Sequence, residues 1–206
     1  MVADLEILGV PQSSFVWAVR LAAAEKGVPV TLHPERPHSD AVRAIHPLGK
    51  IPAMRHGDVT LFESRAIVAY IDATFDGPPL GAGTPAEEAW ISLAITAIDQ
   101  ALVRAWLFAY IFPGTDDGAP DREKAAAAMP SVKAALAAID AGVAKGEVLG
   151  KAFRLPDAWL TPMLHYAMGL PEWAEATAGL THLHAGLDRA LARPSTQATV
   201  PPPIPR

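Results

Sequence analysis

The sequence predicts two domains, an α/β domain of element order βαβαββα followed by an all-α helical domain. The first observation is a change in hydrophobic periodicity near residue 80, where alternating strand-like and helix-like segments give way to helical spacing alone. The second is a Gly/Pro-rich stretch at the same place, which is typical of a linker. The 206 residues leave room for two cores. We therefore expect domains at 1–76 and 85–206, joined by a linker at 77–84.

Seven elements are expected in the first domain. Alternating residues from Leu5 to Gly9 favour a strand, and Gly27 is a plausible stop for a helix that begins at Ser14. His56-Gly57-Asp58 predicts a hairpin turn. The expected elements are a strand from residue 5, a helix at 14–26, a strand at 28–33, a short helix at 40–46, hairpin strands at 51–55 and 59–62, and a helix at 64–75.

The second domain shows apolar residues at helical spacing only. Between Trp90 and Trp106 they recur at i, i+3, i+4 and i+7, which predicts a long helix that faces a core. A second row on this helix, Ile91 and Ile95, needs a cover. Further helices are expected at 121–145, from 156 onward, after Pro171 and after Thr181, and residues 200–206 are expected to form an extended Pro-rich tail.

Composition excludes several classes of protein. Hydrophobic residues make up 50% and charged residues 19% of the chain, a balance that excludes a largely disordered polypeptide. The absence of cysteine excludes disulfides, Cys-ligated metal sites and a thiol nucleophile on the protein itself. A net charge of −5, with no basic excess in either half, argues against a nucleic-acid partner.

The amino-terminal residues do not resemble a secretory signal. Asp4 and Glu6 lie where such a signal needs basic residues, and no apolar run approaches the roughly 18 residues of a membrane span. We therefore expect a cytoplasmic protein with no membrane partner.

The first chemical feature is the strand-to-helix turn from Gly9 to Ser14. Backbone N–H groups at a helix start lack intrahelical partners, and together with the helix dipole they stabilise an anion such as a thiolate. Ser13 and Ser14 add hydroxyl groups at this helix start. The alternative is that one of these serines only caps the helix, which is the more common role of serine at such a position.

The second feature comprises His46-Pro47-Leu48-Gly49-Lys50-Ile51-Pro52-Ala53 and the following Glu63-Ser64. The bond before Pro52 is cis or trans, and the residues alone do not decide between them. Glu63 and Ser64 place a carboxylate and a hydroxyl at the start of a helix, a combination that can hold both the ammonium and the carboxylate of an amino acid. The alternative is an ordinary N-cap.

Four stretches together resemble the glutathione transferase family, whose members have a thioredoxin-like first domain and an all-helical second domain. They are G-x-P-x-S-x-x-V followed by V-R-L-A-A-A-E-K-G at 9–27, H-P-L-G-K-I-P-A at 46–53, E-S-R-A-I-V-A-Y-I at 63–71 and P-D-A-W-L-T-P-M-L at 156–164. Each stretch alone is weak, but all four in order form a specific signal across nearly the whole chain. Because the first tyrosine is Tyr70, the chain resembles the serine-dependent bacterial, phi-like and zeta-like classes.

The resemblance implies a glutathione site in the first domain. Ser13 matches the serine that donates a hydrogen bond to the glutathione sulfur, with Ser14 as the alternative donor. Ile51, just before a family cis-proline at Pro52, matches the residue whose main chain pairs with the cysteinyl part. The remaining matches are Glu63 and Ser64 for the γ-glutamyl group, and Lys50 and His38 for the carboxylate at the glycine end.

Two positions depart from the family pattern. His46 replaces the usual Asn of N-P-x-G, for which we expect a modest effect because it precedes a turn. Arg154 replaces the usual Ser or Thr three residues before Asp157, so one side of the family's capping box is lost.

The resemblance also concerns the second domain and the assembly. Trp106, Phe108 and Tyr110 lie in the stretch that borders the electrophile pocket in the family. It further implies a homodimer in which Asp99 or Arg104 reaches the neighbour's ligand. We expect no metal site, because the second domain offers no carboxylate cluster near its histidines.

The resulting expectation is a detoxification enzyme that uses glutathione as co-substrate and conjugates its thiolate to a small apolar electrophile. Two alternatives remain open at this stage. One is a zeta-like isomerase in which glutathione adds to a double bond and later leaves. The other is a noncatalytic binding protein that retains the fold.

Overall fold

The computed structural model describes residues 4–115 and 117–203. The chain divides into two compact units. Unit 1 runs to Leu80 and includes the carboxy-terminal segment that begins at Arg193, and unit 2 comprises Gly81–Ala192. The predicted second domain extended from 85 to the end of the chain, so the grouping of the segment from Arg193 with unit 1 corrects that boundary.

Unit 1 has the predicted order βαβαββα, which confirms the fold class. Its elements are β1 Leu5–Leu8, α1 Ser14–Lys26, β2 Val30–His33, α2 Asp40–Arg43, β3 Ala53–His56, β4 Val59–Phe62 and α3 Ser64–Thr74. The sheet order is β2-β1-β3-β4, with β1 parallel to β2 and antiparallel to β3, and β3 antiparallel to β4. The strands β2 and β3 begin two residues later than predicted, each directly after a proline, which cannot donate to a strand ladder.

The helix α1 is bounded by the residues that the sequence indicated. Ser13 is its N-cap, and its hydroxyl oxygen accepts from the N–H of Val16. Gly27 ends the helix in the left-handed conformation with φ of +79°, where a glycine has no Cβ to strain. The interior face of α1 is fully buried, including Trp17 and Val19. The helix is therefore a fixed part of the core.

The carboxy-terminal segment braces α1 from outside the sheet, and the sequence did not predict this. Arg193 binds Glu25 through two hydrogen bonds of 2.6 and 2.8 Å, and the hydroxyl of Ser195 donates to the same carboxylate. The indole N–H of Trp17 donates to Thr199 at 3.0 Å. Burial raises the pKa of Glu25, but the hydrogen bonds from Arg193 and Ser195 outweigh it and the pKa lies below its usual value.

This segment includes a short helix, α10, at Pro194–Thr199 that the sequence did not predict. The expected Pro-rich tail begins at Val200, and residues 200–203 have no regular structure. Residues 204–206 of the expected tail lie outside the described residues.

Unit 2 is helical throughout its described elements. They are α4 Pro85–Leu93, a π-helical segment Ala94–Leu107, α5 Phe108–Ile111, α6 Arg122–Ala144, α7 Asp157–Ala167, α8 Trp173–Ala176 and α9 Thr181–Leu191. The helices expected at 121–145, from 156, after Pro171 and after Thr181 are all present. The long helix from Trp90 is continuous but changes its hydrogen-bonding pattern in the middle.

The buried face of the long helix is narrower than the stripe that the sequence predicted. That stripe included Leu93 and Ala97, but both are exposed in unit 2, whereas Ile91, Ala94 and Ile98, at i, i+3 and i+7, are buried. Ile91 is only 1% exposed. The expectation that Ile91 needs a cover from outside the protomer is therefore wrong.

Two helices of unit 2 are long and apolar enough to cross a membrane by length and composition. They are Pro85–Ile111, with mean hydropathy 1.4, and α6, with 1.3. The sequence expectation that no stretch approaches a span is corrected in this respect. Half of the apolar stretch in Pro85–Ile111 and one third of that in α6 are buried within the protein. Core helices of globular proteins meet the same criterion of length and composition.

The start of α7 carries half of a capping box. The carboxylate of Asp157 accepts from the N–H groups of Leu149 at 2.7 Å and Arg154 at 2.9 Å, but no side chain caps the helix. Arg154→Ser should supply the missing hydroxyl acceptor and stabilise the protein by about 0.5–2 kcal/mol. Denaturant unfolding of this variant beside Arg154→Ala, which removes the arginine without adding a hydroxyl, measures the difference. Equal stability of the two variants would contradict the assignment.

Candidate functional site

The sheet register brings three loop ends together. Leu8, the last residue of β1, pairs with Ala53, the first residue of β3, and Ala53 pairs with Phe62, the last residue of β4. The turn into α1, the Ile51–Pro52 step and the Glu63–Ser64 step consequently lie at one edge of the sheet. These are the segments in which the sequence placed the main site residues.

Gly9 determines how closely the first two of these segments approach. A Cβ atom on Gly9 would lie 2.4 Å from Val16 Cγ2 and 3.2 Å from Ile51 Cβ. No side chain fits in that space, so a glycine is required for the first turn of α1 to pack beside Ile51.

Ser13 and Ser14 occupy different environments at the start of α1. Ser13 is half-buried, and its Oγ accepts from Val16 N–H at 3.4 Å, which leaves its hydroxyl proton available for donation. Ser14 is the first helical residue and is 7% exposed. Capping and donation to a ligand are therefore compatible roles for Ser13.

The Ile51–Pro52 bond is cis, as the resemblance implied. Within residues 4–115 and 117–203, neither the N–H nor the C=O of Ile51 forms a hydrogen bond to the protein. Both groups precede the ladder of β3 and can pair with one extended main-chain unit of a ligand.

Glu63 projects its carboxylate from the start of α3. Its backbone has φ of +67° and ψ of 117°, and its side chain makes no cap to the helix. The side chain is 67% exposed, whereas Ser64 is buried. An accessible carboxylate thus stands next to a helix N-terminus, where the dipole favours negative charge. This arrangement can accommodate an ammonium group and a carboxylate side by side.

His38 and Lys50 lie on neighbouring parts of one loop pair. His38 N–H donates to the carbonyl of Gly49 at 2.7 Å, and Arg43 Nε donates to the carbonyl of His38 at 2.8 Å. The side chains of His38 and Lys50 are exposed. They provide nitrogen donors suited to a solvent-facing carboxylate.

The residues predicted to border an electrophile pocket separate into two groups. Trp106 is fully buried, so it is a core residue of unit 2 and its expected place in the pocket lining is corrected. Phe108 and Tyr110 are half-buried. Phe108 packs edge-on against Phe112 with ring centroids 5.1 Å apart, and the Arg104 guanidinium lies 5.0 Å from the Phe108 ring centroid.

Sequence reasoning missed Glu172. Its carboxylate accepts from the indole N–H of Trp106 at 3.1 Å and from the hydroxyl of Tyr110. Burial and the adjacent carboxylate raise the pKa of Tyr110 to about 12. Burial raises the pKa of Glu172, but the two hydrogen bonds outweigh it and the pKa lies below its usual value. No local signal connects residues more than 60 positions apart.

Asp99 is a buried carboxylate in the π-helical segment. It is 7% exposed, and its Oδ2 accepts from Arg104 Nε at 3.0 Å. Its Oδ1 is buried with no partner among the described residues. Burial raises the pKa of Asp99, and the contact with Arg104 opposes this only in part. An unpaired buried carboxylate oxygen is costly in a folded protein.

Comparison with known proteins identifies the family. The glutathione S-transferase N-terminal domain profile matches residues 8–79. Glutathione S-transferase 3 of Zea mays is 32% identical over 227 residues, which cover 98% of this chain and 97% of the relative. The chain belongs to the glutathione S-transferase family. This confirms the expected enzyme class, a glutathione transferase.

Two solved glutathione S-transferase structures extend the match to the whole fold. A glutathione S-transferase III in its apo form has a TM-score of 0.80 at 29% identity and covers 99% of this chain and 100% of its own. A theta class glutathione S-transferase from Xanthomonas axonopodis pv. citri with glutathione bound has a TM-score of 0.81 at 28% identity, with coverage of 97% and 98%. Both units of this transferase chain therefore have counterparts in the family.

In the part of the chain that the structure describes, no three His, Asp or Glu side chains gather closely enough to hold a metal ion.

Tyr110→Phe tests the cluster around Glu172. Loss of the donated hydrogen bond should destabilise the protein by about 0.5–1.5 kcal/mol at neutral pH, a modest value because the pair is partly exposed. A carboxylate with a lowered folded-state pKa stabilises the protein above its unfolded pKa, and this contribution disappears as pH falls through the folded pKa. The difference between wild type and variant in denaturant unfolding should therefore shrink in acid. A difference independent of pH would contradict this account.

Proposed function

We propose that this transferase conjugates the thiolate of glutathione to a small apolar electrophile and is of the serine type. The observation that carries the proposal is the placement of Ser13. Its unused hydroxyl proton, at the N-terminus of α1, lies at the same edge of the sheet as the unpaired main chain of Ile51 and the exposed carboxylate of Glu63. This combination suits a peptide-like thiol with a charged amino-acid end.

Ser13 and the start of α1 serve to ionise the thiol. A free thiol has a pKa of about 8.5, so only a small fraction is thiolate at neutral pH. Each unit by which the pKa of the bound thiol falls requires about 1.4 kcal/mol of preferential thiolate stabilisation. A hydrogen bond from Ser13 to the charged sulfur, together with the helix dipole, is of the size needed for one to two units.

The remaining residues hold the two ends of glutathione. Ile51 pairs with the cysteinyl main chain beside Pro52, and Glu63 with Ser64 receives the γ-glutamyl group. Lys50 and His38 face the carboxylate at the glycine end, as implied for the family. Each contact keeps the sulfur near Ser13, which converts a bimolecular attack into one with preset geometry.

Phe108 and Tyr110 are the proposed pocket contacts for an apolar electrophile, with Trp106 supporting them from the core. The isomerase alternative requires a cation for a dicarboxylate acceptor, and Arg104, which lies beside the Phe108 ring, is the candidate for that cation. Because Arg104 is paired with Asp99, conjugation is the better supported reaction. The other alternative, a noncatalytic binding protein, predicts that the chain binds glutathione but conjugates it to no electrophile.

We further propose a homodimer in the cytoplasm. Support comes from large apolar side chains left exposed in the protomer, among them Leu48, Phe62 and Leu93. The unpaired Oδ1 supports Asp99, rather than Arg104, as the residue that reaches the partner subunit's ligand. We assign the ammonium group of that glutathione as its partner, because a carboxylate favours a cation.

Ser13→Ala tests the proposed chemistry. With an electrophile drawn from a panel of haloarenes, epoxides, enones and peroxides, the variant should raise the pKa of bound glutathione by about one unit, since the helix dipole remains. Conjugation near pH 7 should slow about three- to eightfold with the loss of thiolate. Much of the rate should return at higher pH, where the thiolate forms unaided. Thiolate absorbance and the pH–rate profile measure both effects.

Ser14→Ala is the matched control for this experiment. A shift with Ser14→Ala alone would move the catalytic role one residue along the chain. A Ser13→Ala variant that loses about 1 kcal/mol of stability while its pH–rate profile stays in place would leave Ser13 as a cap only.

Asp99→Asn tests the contribution of the buried carboxylate. Protonation of Asp99 removes the charge that attracts an ammonium group, so the affinity of the wild type for glutathione should fall as the pH is lowered. Because burial raises the pKa of Asp99, this fall should begin at a higher pH than the titration of an ordinary carboxyl group would give. The Asp99→Asn variant should bind glutathione about three- to tenfold more weakly at neutral pH. Its affinity should not show the loss at lower pH that protonation of Asp99 causes in the wild type.

Calorimetry across pH measures the Asp99 effect, and sedimentation at micromolar protein measures the assembly. Unchanged affinity in Asp99→Asn, or a monomeric mass of the wild type, would refute the proposed contribution across a dimer.

A further inference from the structure

His46 is a buried side chain between two segments of the candidate glutathione site. It is 3% exposed, and its ring packs against Phe62 with centroids 4.9 Å apart. It precedes the loop that leads to Pro52 and faces the start of α3. The sequence offered only a role in the turn for this residue.

The main chain and one ring nitrogen of His46 are held in place. Its N–H donates to the carbonyl of Val42 at 2.8 Å, and its own carbonyl accepts from Gly49 N–H at 2.9 Å. The ring Nδ1 accepts from Leu48 N–H at 3.0 Å. Since Nδ1 is the acceptor, the ring proton resides on Nε2.

The protonated Nε2 faces Glu63. It lies 3.6 Å from Glu63 Oε1, slightly longer than a hydrogen bond, and the Glu63 side chain forms no hydrogen bond within residues 4–115 and 117–203. The backbone of Glu63 has a positive φ of +67°, and its side chain is 67% exposed. A fixed donor therefore stands beside an accessible carboxylate that has no other partner in the described protein.

We propose that His46 is a positioning residue for the γ-glutamyl end of glutathione. Its Nε2–H attracts one oxygen of the Glu63 carboxylate and so holds the other oxygen ready for the ligand's ammonium group. The contact between His46 Nε2 and the Glu63 carboxylate shortens when glutathione binds. Because His46 already restrains the Glu63 side chain, binding costs less side-chain entropy than it would with an unrestrained carboxylate. This inference rests on the proposed function, because it requires glutathione at this site.

The side chain usually present at this position in the family is too short for this role. An asparagine ends near the place of Nδ1, so it can accept from Leu48 N–H but does not extend toward Glu63. A glutamine extends to the place of Nε2 and can donate to Glu63, but it leaves Leu48 N–H without its acceptor. The two substitutions therefore separate the turn contact from the Glu63 contact.

His46→Asn should weaken glutathione binding and raise KM for glutathione about three- to tenfold, the effect of losing one hydrogen bond to a charged group. The kcat at saturating glutathione and the pKa of the bound thiol should stay at wild-type values, whereas the melting temperature should fall because the buried ring no longer packs against Phe62. His46→Gln should keep the affinity within about twofold and lower the melting temperature. Calorimetry, steady-state kinetics and thermal melts of the full chain provide these readouts.

A glutathione analogue that lacks only the γ-glutamyl amino group, glutaryl-cysteinylglycine, provides the ligand control. Wild type and His46→Asn should bind this analogue equally, because the ammonium that Glu63 receives is absent. Equal glutathione affinity of wild type and His46→Asn, or a greater loss in His46→Gln than in His46→Asn, would overturn the inference.

If His46→Asn does not fold, His46→Gln decides the question: retained glutathione affinity supports the positioning role and lost affinity overturns it. A wild-type protein that binds no glutathione overturns the proposed function and this inference together. A wild type that binds glutathione with unchanged affinity in His46→Asn overturns this inference alone.

Discussion

The close contact between the first turn of α1 and the segment before β3 is the constraint on which the candidate site depends. Gly9 permits it, because any side chain there would collide with Val16 and crowd Ile51. The contact sets the hydroxyl of Ser13 and the main chain of Ile51 at one edge of the sheet. The register of β3 with β4 then brings Glu63 to the same edge, so the site consists of groups fixed by backbone geometry.

The stability of α1 is therefore part of the function, and the carboxy-terminal segment contributes to it. The helix that begins next to Ser13 is held at its far end by the pairing of Glu25 with Arg193 and in its first turn by the hydrogen bond from Trp17 to Thr199. Lys26 adds an ion pair to Asp72 of α3 at 2.7 Å. A helix held at several points along its length keeps its N-terminus, and the donors there, in a constant position. Preset donors stabilise a developing charge without reorganisation.

Unit 2 combines a well-packed core with polar groups that the core alone does not require. The π-helical segment carries Asp99 with one unpaired oxygen, and Trp106 and Tyr110 share the carboxylate of Glu172. Buried charge of this kind reduces stability unless it is paired, and its presence in proteins is often connected with function. The departure from α-helical bonding occurs in the same segment, and π-helical geometry is frequent at functional sites.

The order of elements in unit 1 and the caps of α1 were predictable from the sequence, and the candidate site residues were named from it, because periodicity, Gly and Pro placement and short motifs are local signals. Contacts across long sequence separations were not. The bracing of α1 by Arg193, the burial of Trp106 against Glu172 and the approach of His46 to Glu63 depend on packing that brings distant residues together. The exposure of Leu93 and Ala97 has the same origin, because the elements packed against the long helix decide how wide its buried face is.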